Sequence, residues 1–345
     1  MGKVLLLRNH EIQGLMPLSQ YIEAVEQGYR EIGLGRGSNF PRHNVWIQGD
    51  PGESVNGGHL KPDTKGSLKF KAALLPGLGG AGLQAYTAGL GSGLQTYMFL
   101  FDTHSGELAA IMEVLYYDWL KTGATAAVAA KYLAPPDSSV VALFGTGRHA
   151  RSQLYALCQV RPIQRVQAYS RDATRRAEFC QAMSKALKID VVPMHSPEEA
   201  LQDADIVTTI TTSAVPVFDG QCLPEKPLHI NAMGAHYPWA REIDAHVLLH
   251  SRIVLDEWEQ GFAEQGDLLI PLEQGRLQAA DVHGDLGAVV AGRVPGRDAG
   301  CQWTLFLSGG TGIEDVAVAT KLYESAQEKG IGTTFAFNQP YTFEV

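Results

Sequence analysis

Residues 140–150 are the stretch that most constrains the fold of this chain. They read Val-Val-Ala-Leu-Phe-Gly-Thr-Gly-Arg-His-Ala, an apolar run followed by a Gly-x-Gly-x-x-Ala pattern. The apolar run predicts a buried strand, and the residues after it predict a helix. In such a unit Gly145 permits the tight turn, Gly147 lets the backbone approach a diphosphate, and Ala150 allows close packing of helix on strand. The pattern predicts a dinucleotide site at the helix N-terminus, with candidate contacts at Gly145, Thr146, Gly147, Arg148, His149 and Ala150.

Strands and helices alternate regularly around and after this loop. Short apolar runs predict the strands, and a periodicity near 3.6 residues predicts the helices. This alternation predicts a parallel sheet with right-handed crossovers, so the fold class is α/β with a Rossmann-type, doubly wound sheet. The predicted strands are 140–144, 165–170, 189–192, 205–210, 229–233 and 303–307, and the predicted helices are 148–160, 174–187, 197–203 and 311–329.

The N-terminal third of the chain does not show this regular alternation of strands and helices. An amphipathic helix is predicted to begin at Pro17 or Ser19 and to end at Gly33 or Gly35. Residues 36–95 are rich in glycine and basic residues, and we predict that they are mostly loop with short β-prone runs. A hairpin turn is predicted at 102–106 and an Ala-rich helix at 118–133.

The end of the second predicted strand bears on the choice of cofactor. An acidic residue there would bind the ribose 2′-OH of NAD, whereas an arginine suits the 2′-phosphate of NADP. Here the strand ends Ala168-Tyr169-Ser170-Arg171, and Asp172 comes one or two places late. Arg171 can pair bidentately with a phosphate, so NADP(H) is favoured and NAD(H) is the alternative, with Ser170 and Arg171 as contacts. The competing interpretation is that these arginines only begin a solvated helix.

Composition argues against several classes of protein. Lys and Arg total 28 against 37 Asp and Glu, and the resulting net charge of -9 argues against nucleic-acid and anionic-membrane partners. The four cysteines include no Cys-x-x-Cys pair, which argues against a metal site or a disulfide scaffold and suits a cytoplasmic location. No apolar run reaches the roughly 18 residues that a membrane span needs.

Collinear segments through most of the chain carry a resemblance to a known family. They are Phe101-Asp102 to Gly106, Lys121-Thr122-Gly123-Ala124, the Gly145 loop, His229-Ile230-Asn231-Ala232-Met233-Gly234-Ala235, Arg241-Glu242-Ile243-Asp244, Gly266-Asp267-Leu268 and Ser308-Gly309-Gly310-Thr311-Gly312-Ile313-Glu314-Asp315. In these segments the chain resembles the ornithine cyclodeaminase and mu-crystallin family, which also holds ketimine reductases and some alanine dehydrogenases.

The resemblance implies two domains. Residues 120–310 would form the dinucleotide-binding Rossmann domain. Residues 1–119 with 311–345 would form an α+β domain for substrate binding and dimerisation, so a homodimer is expected. The resemblance also implies further cofactor contacts at Thr211, Met233, Gly234 and Gly310.

Family members bind an α-imino or α-amino acid beside the nicotinamide, and this chain departs from their polar residues. Arg42 matches the first family arginine. Gln84 stands at the family lysine position, Lys121 at a family arginine position, and His236 at the aspartate that handles the amine in cyclodeaminases. Gln84 brings no charge. Lys121 keeps a positive charge but lacks the planar, bidentate donors of an arginine, and the histidine at position 236 can exchange protons near neutral pH. These four are the predicted catalytic residues, and a surface or structural role is the alternative for each.

Other basic residues could supply the charge that is missing at Gln84. The candidates are His59, Lys61, Lys69 and Lys71. The alternative is that they form a solvated face, which is the more common role of such a run.

These residues together predict an NAD(P)H-dependent oxidoreductase that acts on the CH–NH or CH–NH2 group of a small α-imino or amino acid. Arg42 and Lys121 would anchor the carboxylate, and His236 would manage the proton. One alternative is an NAD-dependent cyclodeaminase of a basic amino acid, which His236 in place of the aspartate disfavours. The other is an NADP(H)-binding protein with little catalysis, because the changes at Gln84, Lys121 and His236 also fit a loss of activity.

Overall fold

The computed structural model describes residues 3–49, 63–90 and 94–337. The chain divides into two compact units, Met1–Lys121 with Thr311–Val345 and Thr122–Gly310. The helix α3 (Leu115–Leu133) begins in the first unit and ends in the second. No helix in the described ranges is both long enough and apolar enough to cross a bilayer.

The second unit is a parallel sheet flanked by helices. Its eight strands lie in the order β13-β12-β14-β11-β10-β7-β8-β9. With labels numbered along the chain, its elements are β7 (Val140–Phe144), α4 (Arg148–Val160), β8 (Arg165–Tyr169), α5 (Ala173–Leu187), β9 (Asp190–Pro193), α6 (Pro197–Leu201), β10 (Ile206–Thr209), β11 (Leu228–Ala232), α7 (Ala245–Leu249), β12 (Ser251–Leu255), α8 (Trp258–Glu264), α9 (Gly266–Glu273), β13 (Val282–Asp285), α10 (Leu286–Val290) and β14 (Trp303–Leu307).

Burial on both faces explains why the strands of this sheet read as continuous apolar runs. In β7, Val141 and Leu143 pack into the core on one face, while Ala142 and Phe144 pack into the core on the other. Parallel sheets covered by helices on both sides have this pattern. The strand order reverses between β7 and its neighbours β8 and β10, and such a reversal opens a crevice at the carboxyl ends of the strands.

The first unit contains a mixed, mostly antiparallel sheet with helices against one face. Its seven strands lie in the order β15-β1-β6-β5-β4-β3-β2. Its elements are β1 (Lys3–Leu7), α1 (Asn9–Ile12), α2 (Leu18–Gly33), β2 (Ser38–Gln48), β3 (Thr64–Leu75), β4 (Gly80–Ala88), β5 (Gln95–Asp102), β6 (Leu108–Glu113), the start of α3, α11 (Gly312–Lys329) and β15 (Thr333–Ala336). The predicted fold class, a Rossmann-type α/β sheet plus a second α+β domain, is confirmed.

The prediction that residues 36–95 are mostly loop is wrong. This segment contains β2 and β3, two of the longer strands of the chain. Their inner face carries buried basic side chains, Arg42, Lys69 and Lys71, instead of the apolar residues that the pattern analysis required. His59 and Lys61 lie outside the described residues.

The N-terminus of α11 packs directly on the first sheet because it begins with glycine. A Cβ placed on Gly312 would lie 2.4 Å from the carbonyl oxygen of Ala72 in β3. The amide of Gly312 donates a hydrogen bond to Oδ1 of Asn39 at 3.2 Å. The close approach brings the acidic first turn of α11, with Glu314 and Asp315, onto the inner face of β3.

Candidate active site

A cleft lies at the carboxyl ends of the central strands of the second unit. Its volume is about 550 Å³. The loops after β7, β8 and β10 form its walls, where a doubly wound sheet places its ligand. It brings together six of the predicted cofactor contacts, Gly145, Thr146, Gly147, Ser170, Arg171 and Thr211, with other residues that include Tyr169, Asp172, Arg175, Thr212, Ser213 and Pro216.

Two glycines give the first loop its shape. Gly145 has φ of +102°, and a Cβ there would lie 2.6 Å from the carbonyl oxygen of Ile210. A side chain at this position is therefore excluded by both strain and contact. A Cβ on Gly147 would meet nothing within 4 Å. Gly147 caps α4 without a side-chain hydrogen bond, so the first amides of this helix remain able to donate to an anion.

The end of β8 carries the residues predicted to select the cofactor. Ser170 Oγ lies 3.0 Å from Thr146 Oγ1, which ties the first and second loops together. Arg171 and Arg175 are exposed on the wall of the cleft. Asp172 accepts a hydrogen bond from the Arg175 amide at 3.0 Å and thereby caps α5. The acidic residue near the strand end thus has a structural partner.

The other predicted cofactor contacts lie outside the residues that line this cleft. Arg148, His149 and Ala150 form the first turn of α4, where Ala150 is buried against the sheet. Met233 and Gly234 follow β11, and Gly310 follows β14 with its amide 3.1 Å from Oδ2 of Asp256.

A buried carboxyl group that the sequence analysis did not select organises the loops beyond β10 and β11. Glu242 is fully buried and accepts hydrogen bonds from Thr209 Oγ1 at 2.8 Å, from the Thr211 amide at 2.5 Å and from the Gly234 amide at 2.7 Å. Burial raises the pKa of Glu242, although these donors oppose the rise. Glu242 therefore fixes Thr211 and Gly234, two of the predicted cofactor contacts.

His236 lies in the loop that follows Gly234. Its Nδ1 is 3.0 Å from the carbonyl oxygen of Gly234, so Nδ1 carries the proton in this contact. The ring packs on Tyr237 at a centroid distance of 4.4 Å. In the neutral ring this tautomer leaves Nε2 as the proton-accepting nitrogen.

The other three predicted catalytic residues, Arg42, Gln84 and Lys121, lie in the first unit in and around a buried group of charges. Lys121 Nζ lies 3.0 Å from Asp315 Oδ1 and 3.1 Å from Glu314 Oε1. It also lies 3.6 Å from Asp118 Oδ1. Lys71 Nζ lies 2.8 Å from the second oxygen of Asp315. Asp315 therefore bridges two buried ammonium groups. The positive N-terminal end of the α11 dipole further stabilises its negative charge.

The pKa values of Lys121 and Lys71 are shifted in opposite directions. Burial would lower the pKa of Lys121, but the charges of Asp315, Glu314 and Asp118 outweigh it and raise this pKa well above the ordinary value. Burial lowers the pKa of Lys71, and the positive charges of Lys121 and Arg42 add to this, although Asp315 opposes it.

Two polar atoms beside this group are buried without a hydrogen-bond partner among the described residues. They are Oε1 of Gln84 and the hydroxyl of Tyr117. Burial, with the negative charge of Asp315, raises the pKa of Tyr117 well above its ordinary value. A buried polar atom left unpaired costs about 1–3 kcal/mol, and a bound ligand is one way to recover it.

Comparison with known proteins gives the family of the chain. The family model for the ornithine cyclodeaminase/mu-crystallin family matches residues 3–330. The chain belongs to this family. The resemblance inferred from the sequence segments is thereby confirmed.

Several family members of known activity are similar over nearly their whole length. Alanine dehydrogenase of Archaeoglobus fulgidus is 32% identical over 97% of this chain and 99% of its own. The structure of Thermococcus litoralis Δ1-pyrroline-2-carboxylate reductase with NADH and L-proline covers 96% of this chain and 99% of its own, with a TM-score of 0.86 and 30% identity. An archaeal alanine dehydrogenase dimer with bound NAD covers 97% and 100%, with a TM-score of 0.86 and 31% identity.

These relatives are oxidoreductases that act on imine or amino groups. They confirm the predicted enzyme class for this member of the ornithine cyclodeaminase/mu-crystallin family. A buried lysine, Lys71, lies directly across from Gln84 on the neighbouring strand, and Gln84 is the position where the resemblance implies a lysine. Lys71 was predicted only as a possible source of charge, because the basic residues of β3 hide its strand pattern.

Proposed function

We propose that this protein catalyses the NAD(P)H-dependent reduction of a small α-imino acid, or the reverse oxidation of the amino acid. The observation that carries the proposal is the burial of Arg42 and Lys71 in the first unit, since buried guanidinium and ammonium groups suit a substrate carboxylate. The glycine-rich cleft of the second unit supports the nicotinamide part of the proposal.

The cleft residues fit a dinucleotide. The open space at Gly147 and the uncapped amides of α4 suit the diphosphate, and the Gly145 turn lets the backbone approach it. Thr211 and Gly234, held by Glu242, are proposed to line the nicotinamide end. When bound, the reduced nicotinamide supplies the hydride.

The proposal includes a preference for NADP(H) over NAD(H). Arg171 and Arg175 line the cleft at the end of β8 and are exposed to an incoming ligand. Their guanidinium groups suit a 2′-phosphate. Asp172 is occupied as the cap of α5, which makes it a poorer partner for a ribose 2′-OH.

Substrate binding is assigned to the first unit and proton exchange to His236. Arg42, nine-tenths buried, is proposed to bind the substrate carboxylate. Lys121 holds Asp315 in place through their ion pair. His236, oriented by the Gly234 carbonyl, is proposed to exchange the proton of the substrate nitrogen through Nε2.

A homodimer is proposed through the outer face of the first sheet. Cross-strand pairing places the exposed side chains of Val45 and Leu68 side by side on this face. Apolar patches of this kind mark association surfaces on soluble proteins. The other large exposed apolar side chains of the face are Phe40, Ile47, Leu74, Tyr97 and Phe101.

The proposed function is tested by titrating the purified protein with NADPH and NADH and then supplying imino acids. Nicotinamide fluorescence reports binding. Pyrroline-2-carboxylate, piperideine-2-carboxylate and open-chain imino acids are then added to the loaded protein, and a diamino acid is added separately to the protein with NAD+. Oxidation of the nicotinamide by one of them is the expected result. Tight binding without oxidation by any of them would favour a binding protein, and conversion of a diamino acid without net oxidation would favour a cyclodeaminase.

A further inference from the structure

Lys71 and Gln84 are direct cross-strand partners on the inner face of the first sheet. They pair in register between the antiparallel strands β3 and β4. Both side chains are buried, with 3% and 2% of their surfaces exposed. Directly opposed residues of an antiparallel pair have Cβ atoms about 5 Å apart and point to the same side of the sheet. The ammonium of one and the amide of the other are therefore near neighbours.

The Lys71 ammonium has hydrogen-bonding capacity left over. Among the described residues it makes one ion pair, to Asp315 Oδ2 at 2.8 Å. An ammonium group has three N–H donors. Two donors of a buried cation are thus available for a ligand, and a buried cation favours a ligand that carries negative charge.

Gln84 presents the complementary chemistry. Its Oε1 is buried and accepts no hydrogen bond within the part of the chain that the structure describes. A buried carbonyl oxygen of this kind is satisfied by a ligand that donates a hydrogen bond to it. Lys71 and Gln84 thus offer a cationic donor and a neutral acceptor side by side.

We propose that Lys71 and Gln84 act as one substrate-binding pair that recognises the carboxylate and the nitrogen of an α-imino or α-amino acid. Both groups of such a ligand are attached to one α-carbon, so a single small molecule spans the two side chains. Lys71 binds the carboxylate, and the carbonyl of Gln84 accepts the N–H of the protonated imine or the amine. The resemblance implies a cation at position 84, and Lys71 supplies one from the neighbouring strand.

Lys121 is less suited to this task than Lys71. Its ammonium faces three carboxylates, those of Asp118, Glu314 and Asp315. These three negative charges within 3.6 Å of the ammonium already offset its positive charge, which makes it a weaker partner for a substrate carboxylate. Lys121 is therefore a positioning residue, because it holds the Asp315 carboxylate that in turn orients Lys71.

The inference rests on the proposed function, and exchanging the two residues tests it. K71Q removes the ammonium, and the double variant K71Q/Q84K returns it to the neighbouring strand. With the imino acid that oxidises NADPH, we expect K71Q to lower kcat/KM by about 100-fold, chiefly through KM, and the double variant to recover at least about a tenth of the original value. K321Q, a lysine change on the exposed side of α11, is the matched control and keeps normal kinetics.

Direct ligand binding separates this inference from the proposed function. Calorimetric titration of the NADPH-loaded protein with L-proline and L-alanine measures amino-acid binding without turnover, because an amino acid cannot accept a hydride from the reduced nicotinamide. Weaker amino-acid binding by K71Q, with unchanged NADPH affinity, supports the pair even if no imino acid is reduced. A folded K71Q with wild-type kcat/KM and wild-type amino-acid affinity overturns the assignment. If K71Q does not fold, K71R and the double variant decide, and a folded double variant without substrate binding overturns it.

Discussion

The backbone amide of Glu242 donates to Oδ1 of Asp267 at 2.7 Å, which joins two fully buried carboxyl residues. Oδ1 also accepts from the Ile243 amide at 3.0 Å, while Oδ2 has no partner among the described residues. Burial, with the negative charge of Glu242, raises the pKa of Asp267 to about 8. Asp267 is therefore protonated in the folded protein at neutral pH.

We expect Asp267→Asn to flatten the pH dependence of stability. Between the ordinary aspartate pKa of about 3.9 and the folded pKa, the native state binds one more proton than the unfolded chain. The free energy of unfolding therefore falls as pH rises through this window, by at most about 1.4 kcal/mol per pH unit. Asparagine keeps the Oδ1 acceptor and cannot ionise. Denaturant unfolding at several pH values measures the slope, with the exposed Asp190→Asn as control, and an unchanged slope in Asp267→Asn contradicts the assignment.

His236→Ala should depress turnover and leave cofactor binding intact. Removal of a general acid–base group costs about 10²- to 10⁴-fold in rate. The variant is compared with His250→Ala, an exposed histidine of the same unit. Stopped-flow oxidation of bound NADPH gives the rate, and fluorescence titration gives the affinity. A His236→Ala enzyme with normal turnover would remove His236 from the mechanism.

Arg171→Ala should weaken NADPH binding far more than NADH binding. A hydrogen bond to a charged group contributes about 1.5–3 kcal/mol, which corresponds to about 10- to 150-fold in affinity. Arg165→Ala is the control, since Arg165 is an exposed arginine at the opposite end of β8 whose ion pair with Asp190 lies at the surface. Equal losses for the two cofactors would show that Arg171 does not contact a 2′-phosphate.

Leu68→Asp should shift the protein from dimer to monomer. The charge would be buried without a partner in the proposed interface, which costs several kcal/mol. Leu249→Asp is the control, because Leu249 is similarly exposed, at 49% against 45% for Leu68, and lies in the other unit. Light scattering coupled to size-exclusion chromatography reports the mass. A Leu68→Asp protein that remains dimeric would exclude this face.

The predictability of each region follows from what buries its side chains. Local patterns were sufficient for β7, α4 and β14, because their apolar runs and glycine turns match the observed elements. They failed for β3, where Lys69 and Lys71 are buried and give the strand the appearance of an exposed segment. Burial of those lysines depends on partners far away in sequence, such as Asp315.

The residues of the candidate site also fall into two groups, those that a local sequence pattern predicts and those that come together only in the folded chain. The Gly145 loop is contiguous in sequence, so its residues could be named from their spacing, and the structure lines a cleft with them. Glu242 and Asp267 are 25 residues apart and act on one another only in the folded chain. Both lie in segments that carry the family resemblance, which was the available signal, but no local pattern showed that they are buried together.

The register of β3 against β4 has a consequence for how members of this family are compared. Lys71 and Gln84 occupy opposite places across two strands, although the Pro76–Leu78 turn lies between them in the chain. A comparison made position by position along the sequence would show only Gln84 where the resemblance implies a lysine. If residues are grouped by their place on the sheet, the ammonium of Lys71 is found directly across from Gln84. Searches for functional members therefore gain from templates that allow an exchange between adjacent strands.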